Sequence, residues 1–113
     1  MAAALSVEIF RLTDLPPLNH RRGLCDQMQR SGVSIPSNVA EGEERGTNKD
    51  SLRFLFIAKG SLAELRTQMD IAHSIGDLPT SDYEALEVLA DKVARLLSGM
   101  IKRRVSLEKA QRA

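Results

Sequence analysis

The sequence predicts an all-α protein, an antiparallel four-helix bundle whose first helix is short, and three observations predict it. No segment alternates apolar and polar residues with period two for long enough to make a strand. Proline, glycine and capping residues cut the chain into four stretches, each apolar at helical spacing. Aromatics are scarce, with no Trp, one Tyr and three Phe, so the core must come from Leu, Ile, Val, Ala and Met, a composition that suits helices.

The first helix spans about residues 3–13, with Val7, Phe10, Ile9 and Leu12 as its apolar positions. Asp14-Leu15-Pro16-Pro17 ends it, because proline lacks an amide donor and disfavours a helical residue before it. The second helix covers about residues 18–44. Pro36 lies inside it, which predicts either a kink or a break capped by Ser34. Arg45-Gly46-Thr47 is the next turn. Thr47 or Asn48 caps a third helix over about residues 48–75, with Asp50 in its first turn against the helix dipole. Gly76-Asp77-Leu78-Pro79-Thr80 reads as a stop and a turn. Ser81 then serves as N-cap with Glu84 three residues on, a capping box, and opens a fourth helix over about residues 81–105. A basic tail, residues 106–113, follows.

The fourth helix carries a seam of Tyr83, Leu86, Ala90, Val93, Leu97, Met100, Arg104 and Leu107. Alternating steps of three and four are the packing pattern of a bundle, and the short turns make neighbours antiparallel. The third helix is apolar on two sides: Leu52, Leu55, Phe56, Leu62 and Met69 on one, and Phe54, Ile57, Ala58, Leu65, Ile71 and Ala72 on the other. Gly60 sits in its middle at a cost of about 1 kcal/mol relative to Ala, which predicts close approach of a neighbouring helix. Two readings follow, a central helix in a monomer and a subunit interface, and the second is the expectation.

A chain of 113 residues makes one domain with a single core. Its 42% hydrophobic and 27% charged content is that of a folded globular protein. The lone Cys25 excludes an internal disulfide framework and fits a reducing cytoplasm. The first residues, Met1-Ala2-Ala3-Ala4-Leu5, lack a basic flank, so no signal peptide is expected, and no apolar run approaches membrane-spanning length. The expectation is a cytoplasmic protein without a membrane partner. Net charge is +1, but Lys102, Arg103, Arg104, Lys109 and Arg112 face only Glu108 after Ser98. Such an end can contact phosphate, or simply complement a helix C-terminus.

The most informative stretch is Ser34-Ile35-Pro36-Ser37-Asn38-Val39-Ala40-Glu41-Gly42, together with Gly60-Ser61-Leu62-Ala63-Glu64-Leu65. Gln27, Ser31, Ser34, Asn38, Glu41 and Arg45 fall on one helical stripe, beside a small or apolar stripe of Cys25, Met28, Gly32, Ile35, Val39 and Gly42. Ser34, Ser37, Asn38, Glu41, Ser61 and Glu64 therefore form a candidate polar network between the second and third helices. It either fixes register or lines a ligand pocket or a ring.

These motifs, with Gln27-Met28-Gln29-Arg30-Ser31 upstream, Arg53-Phe54-Leu55-Phe56-Ile57-Ala58-Lys59 before Gly60, and Ile71-Ala72 running to Gly76, closely resemble the bacterial four helix bundle protein family. That family is also called the 23S rRNA-intervening sequence protein family. The resemblance covers about Val7 to Lys102. It implies an up-and-down bundle that assembles as a ring, typically a homopentamer. A relative, the accessory variability determinant of diversity-generating retroelements, is a pentameric barrel that binds nucleic acid and a reverse transcriptase. Members carry a longer first helix, whereas this chain begins about midway through it. Either the true start lies upstream or one wall of the bundle is short.

Sharper chemistries fare poorly. Gln29-Arg30-Ser31-Gly32-Val33-Ser34-Ile35 looks like the turn of a helix-turn-helix, but the following helix offers Glu41, Glu43 and Glu44, which phosphate repels. Asp70-Ile71-Ala72-His73 has carboxylate-x-x-His spacing, yet a di-iron bundle needs two such pairs and two more carboxylates. Cys25 shares an apolar stripe with Met28 and reads as core. No catalytic residue, cofactor or metal is expected. Two functions stay open. The first is a non-enzymatic oligomeric scaffold touching RNA or DNA through Arg21, Arg22, Arg30, Arg53, Lys59, Lys102, Arg103 and Arg104. The second is a protein–protein adaptor or structural ring without a nucleic-acid role.

Overall fold

The computed structural model describes residues 2–112, and its regular elements are α1 (Ala2–Thr13), a 3-10 turn (Leu18–His20), α2 (Arg22–Glu43), α3 (Asn48–Ser74) and α4 (Thr80–Arg112). No strand occurs among the described residues. Packing is cyclic: α1 lies against α2, α2 against α3, α3 against α4, and α4 against α1. The bundle measures 54 × 20 × 18 Å. Leu5, Ile9, Met28, Ile35, Leu55, Leu65, Met69, Leu86, Val93 and Leu97 are buried at its centre. All three Phe lie outside this aliphatic core. Among the described residues no helix is long and apolar enough to cross a membrane.

Most boundaries follow the sequence, and the differences have local causes. Thr47 is extended (φ −128°, ψ 152°) and its Oγ1 accepts from the Asp50 amide at 3.1 Å, an N-cap of the usual kind. At the other end of α3, Gly76 has φ +86°. Its amide donates to the His73 carbonyl and the Asp77 amide to that of Ala72, both at 3.0 Å. That is a Schellman ending, which needs the left-handed residue that glycine supplies. The expected capping box at Ser81 does not form. α4 starts one residue earlier, with the Tyr83 amide on the Pro79 carbonyl at 2.9 Å. The tail is helical too: α4 continues from residue 105 to Arg112, because residues 106–112 are mostly good helix formers without a breaker and Glu108 pairs with Arg112 at i,i+4.

α1 buries Leu5, Ser6, Ile9, Leu12 and Thr13. Val7 and Phe10, expected to be core-facing, are 65% and 42% exposed, because the Leu5–Ile9–Leu12 stripe is the one turned inward. At 1.5 Å per residue α1 is about 18 Å long, against about 50 Å for α4. It therefore walls only the half of the bundle nearest the α3–α4 turn. In the other half the bundle is three helices, and Arg104 reaches from α4 across to the Asn48 Oδ1 at 3.0 Å and towards Glu43 at 3.9 Å. Among the described residues α1 is the short first helix that the sequence predicts.

Pro36 neither breaks α2 nor makes Ser34 a cap. Helical structure is continuous from Arg22 to Glu43. Proline at 36 leaves the Gly32 carbonyl without its i+4 amide, and the Ser6 hydroxyl of α1 donates to that carbonyl at 2.6 Å. The helix defect and its remedy sit on different elements. At the far end of α2, a Cβ on Gly42 would lie 3.3 Å from the Ser51 carbonyl oxygen, so glycine there lets α3 close on α2.

Removing the hydroxyl in Ser6→Ala should leave a buried carbonyl unpaired and cost about 1–3 kcal/mol of unfolding free energy. In a Pro36→Ala background the restored amide takes over Gly32, so the same Ser6→Ala change should cost much less. Equilibrium urea denaturation of the four proteins measures this coupling. Equal losses in both backgrounds would contradict it.

Candidate functional site

The candidate polar network contracts to three residues. Ser34 and Ser61 hydroxyls meet across the α2–α3 interface at 2.7 Å. The Asn38 amide donates to the Ser34 carbonyl at 2.8 Å and to its hydroxyl at 3.0 Å. All three side chains are partly or fully buried, so this is a polar stitch that fixes the register of the two helices. Ser37, Glu41 and Glu64 do not join it. Ser37 and Glu64 are exposed, and Glu41 forms a surface pair with Arg45 at 2.5 Å, one turn along its own helix. Helical spacing places residues on a stripe but cannot say where along the stripe a partner helix ends. α3 covers Ser34 and Asn38 and leaves Glu41 outside.

The eight candidate bases do not converge on one patch. Arg21 lies at the α3–α4 turn, where it donates to Asp77 at 2.5 Å. Arg104 is half-buried and tied to Asn48 and Glu43 near the opposite end. Arg53 stacks its guanidinium 4.5 Å from the Phe54 ring centroid, and Arg45 does likewise at 4.4 Å. Arg22 is exposed, and exposed Arg30 lines a shallow groove of about 560 Å³ beside Phe10, Asp26 and Val33. Only Lys59 and Lys102 are brought together, on facing edges of a groove between α3 and α4 of about 420 Å³. Arg103 is exposed beside them in sequence.

The outer surface of α3 shows a second feature. Ile57, Ile71 and Ile75 are 44%, 47% and 46% exposed and share a stripe with Gly60 and Glu64. Gly60 meets nothing within 4 Å of where a Cβ would stand, so the close helix approach expected there is not made among the described residues. Beside the stripe, Gln27, Glu64, Gln68 and Ile71 border a groove of about 400 Å³. The Gln68 Oε1 there is buried and has no hydrogen-bond partner among the described residues. Val7, Phe10 and Val33 form a separate exposed apolar group on α1 and α2.

Sequence reasoning also missed a cluster at the α3–α4 turn. The Tyr83 hydroxyl donates to Asp70 at 2.5 Å, its ring stacks on His73 at 4.4 Å between centroids, and His73 Nε2 pairs with the Thr80 hydroxyl at 3.1 Å. The carboxylate-x-x-His spacing thus aims both groups at a tyrosine. The hydrogen bond to Asp70, then burial and the charges of Glu87 and Asp70, push the Tyr83 phenol up to about 12. Cys25 is buried, with its thiol near the Leu18 carbonyl at 3.3 Å, and burial pushes its ionisation up, which makes it an inert packing residue.

A family model described as 23S rRNA-intervening sequence protein matches residues 1–99, and the chain belongs to that family. A solved structure of a protein of unknown function from the S23 ribosomal protein family of Bacteroides thetaiotaomicron superposes with a TM-score of 0.75 at 22% identity. The match covers 90% of this chain and 99% of that one, and at this identity it speaks for the fold. No curated protein matches.

Asn38→Leu should lower stability by about 1 kcal/mol or more through the lost stitch, whereas Glu41→Ala should stay within about 0.5 kcal/mol because its pair is exposed. Thermal melts of the two variants decide between this picture and a ligand pocket spanning both residues. Tyr83 is the chain's single Tyr and there is no Trp, so phenolate absorbance reports it alone. Its titration midpoint in the folded protein should lie near 12 and fall towards the ordinary value of 10.0 in Asp70→Asn. The folded phenol holds its proton more tightly, so this contribution to stability is complete below the unfolded value and is lost as pH rises through the folded one.

Proposed function

We propose that this member of the 23S rRNA-intervening sequence protein family is a non-enzymatic scaffold that closes into a homo-oligomeric ring and touches RNA or DNA weakly. The observation that supports the assembly is the exposed isoleucine stripe of α3. A neighbouring subunit can cover these isoleucines and remove their apolar surface from water. The apolar group on α1 and α2, Val7, Phe10 and Val33, is a different patch from the α3 stripe. Two unlike patches favour a heterologous contact, which closes into a ring when the rotation between neighbours divides the full turn. Five is the subunit number that the family resemblance implies.

Lys59, Lys102 and Arg103 are exposed and outside any ion pair among the described residues, which leaves them available to phosphate. A ring repeats them at each subunit and multiplies a weak contact. With few aromatics to stack bases, the contact is electrostatic and indifferent to sequence. The second reading, a protein–protein adaptor or purely structural ring, gains support from Arg21 and Arg104, both consumed internally, and from a net charge of only +1.

Light scattering at micromolar concentration should give a mass near five times the 12.5 kDa chain, and Ile71→Lys should lower it. A monomer mass for the unaltered protein would overturn the ring. Titration with structured RNA and duplex DNA should show binding at low salt that fades steeply as salt rises. Lys102→Gln with Arg103→Gln should weaken it. No binding at low salt, or binding that the substitutions leave unchanged, would favour the adaptor.

A further inference from the structure

We propose that the groove between α3 and α4 binds a single-chain anionic amphiphile, with an alkyl tail along its apolar floor and a carboxylate headgroup between Lys59 and Lys102. This inference goes beyond the nucleic-acid reading, because a phosphate backbone has no use for the trough. The groove holds about 420 Å³, within the range of roughly 300–1,000 Å³ for small-ligand clefts. Buried Leu62 and Leu97 form its floor and half-buried Ile101 flanks it. Ser98, small and exposed, leaves it open on the α4 side.

Its charge is one-ended. Every charged residue that lines it is a base, Lys59, Arg66 or Lys102. Arg66 sits at one end and is neutralised by Glu87 and Asp91, each at 2.8 Å. Lys59 and Lys102 flank the other end, and neither has an ion pair among the described residues. Two like charges across an apolar trough attract an anion between them and strengthen its hydrogen bonds. The seven-residue step from Lys59 to Arg66 is about 10 Å along the helix, which fits a medium-length alkyl chain ended by the Arg66 cluster. No aromatic residue lines the trough, so a stacked base would find no platform there. The tail is driven in by burial of its methylenes, and the lysines choose the sign of the head.

The test uses the full chain, isotopically labelled, titrated with decanoate below its micelle concentration and followed by amide chemical shifts. Decanoate should move the signals of Lys59, Leu62 and Ile101 and leave those of the α1–α2 face in place. Decyltrimethylammonium, with the same tail and the opposite charge, should bind at least about tenfold more weakly. Lys59→Gln with Lys102→Gln should weaken decanoate by about tenfold and leave 1-decanol unaffected. Ser98→Leu, a substitution at an exposed position, should fill the trough and abolish binding of both tails while RNA binding persists. Equal binding of the two decyl ions, or shifts scattered away from the groove, would overturn the proposal. So would a fall in oligomer mass on Ser98→Leu, which would assign the trough to a second copy of the chain.

Discussion

The structure hinges on a proline in the middle of α2. Pro36 withdraws one amide from the helix ladder, and the Gly32 carbonyl it abandons lies on the buried side of the helix, where water cannot serve it. Only α1 can reach it, and Ser6 does so at 2.6 Å. That single bond sets the register of α1 along α2. With Ser6 opposite Gly32, the Thr13 hydroxyl accepts from Gln29 at 2.9 Å, Leu5 and Ile9 enter the core, and Phe10 and Val7 are left on the surface beside Val33.

The length of α1 divides the described residues into two halves. Where α1 lies, the bundle is a four-helix one with a closed aliphatic centre. Past the reach of α1 it is three helices, and there the Arg104 head reaches Asn48 and Glu43. A base that the sequence offers to phosphate is thereby spent on structure. The same holds for Arg21, which ties the start of α2 to buried Asp77 at the α3–α4 turn. Of the eight candidate bases, Arg22, Arg30, Arg53, Lys59, Lys102 and Arg103 enter no ion pair among the described residues. The surface chemistry of this protein is thus what packing leaves over.

Much of the fold is legible in the sequence, because helix stops and seams are local. Thr47, Gly76 and the Leu86–Ala90–Val93–Leu97 seam each act through neighbours in their own element or the next. The register of α1 is not legible. Val7–Phe10 and Leu5–Ile9–Leu12 are both apolar at helical spacing, and the choice between them is made by a serine whose partner lies 26 residues away. The candidate site divides along the same line. Ser34, Asn38 and Ser61 were readable because a stripe of small polar residues inside a helix must find partners. Ser37, Glu41 and Glu64 share the pattern but lie outside the cover of a neighbouring helix. Arg21 and Arg104 could not be told from free bases, since Asp77 and Asn48 are each 56 residues distant.

The central claim is that α1, short as it is, is fastened into the bundle as part of one cooperative unit through its contact with the helix around Pro36. Native-state hydrogen exchange measures this directly. The amides of α1 from Ile9 to Leu12 should exchange with nearly the same opening free energy as those of Leu65 and Leu97, and respond to denaturant with the same steep slope. Exchange of α1 by a separate opening, several kcal/mol easier than that of the core and insensitive to denaturant, would contradict it.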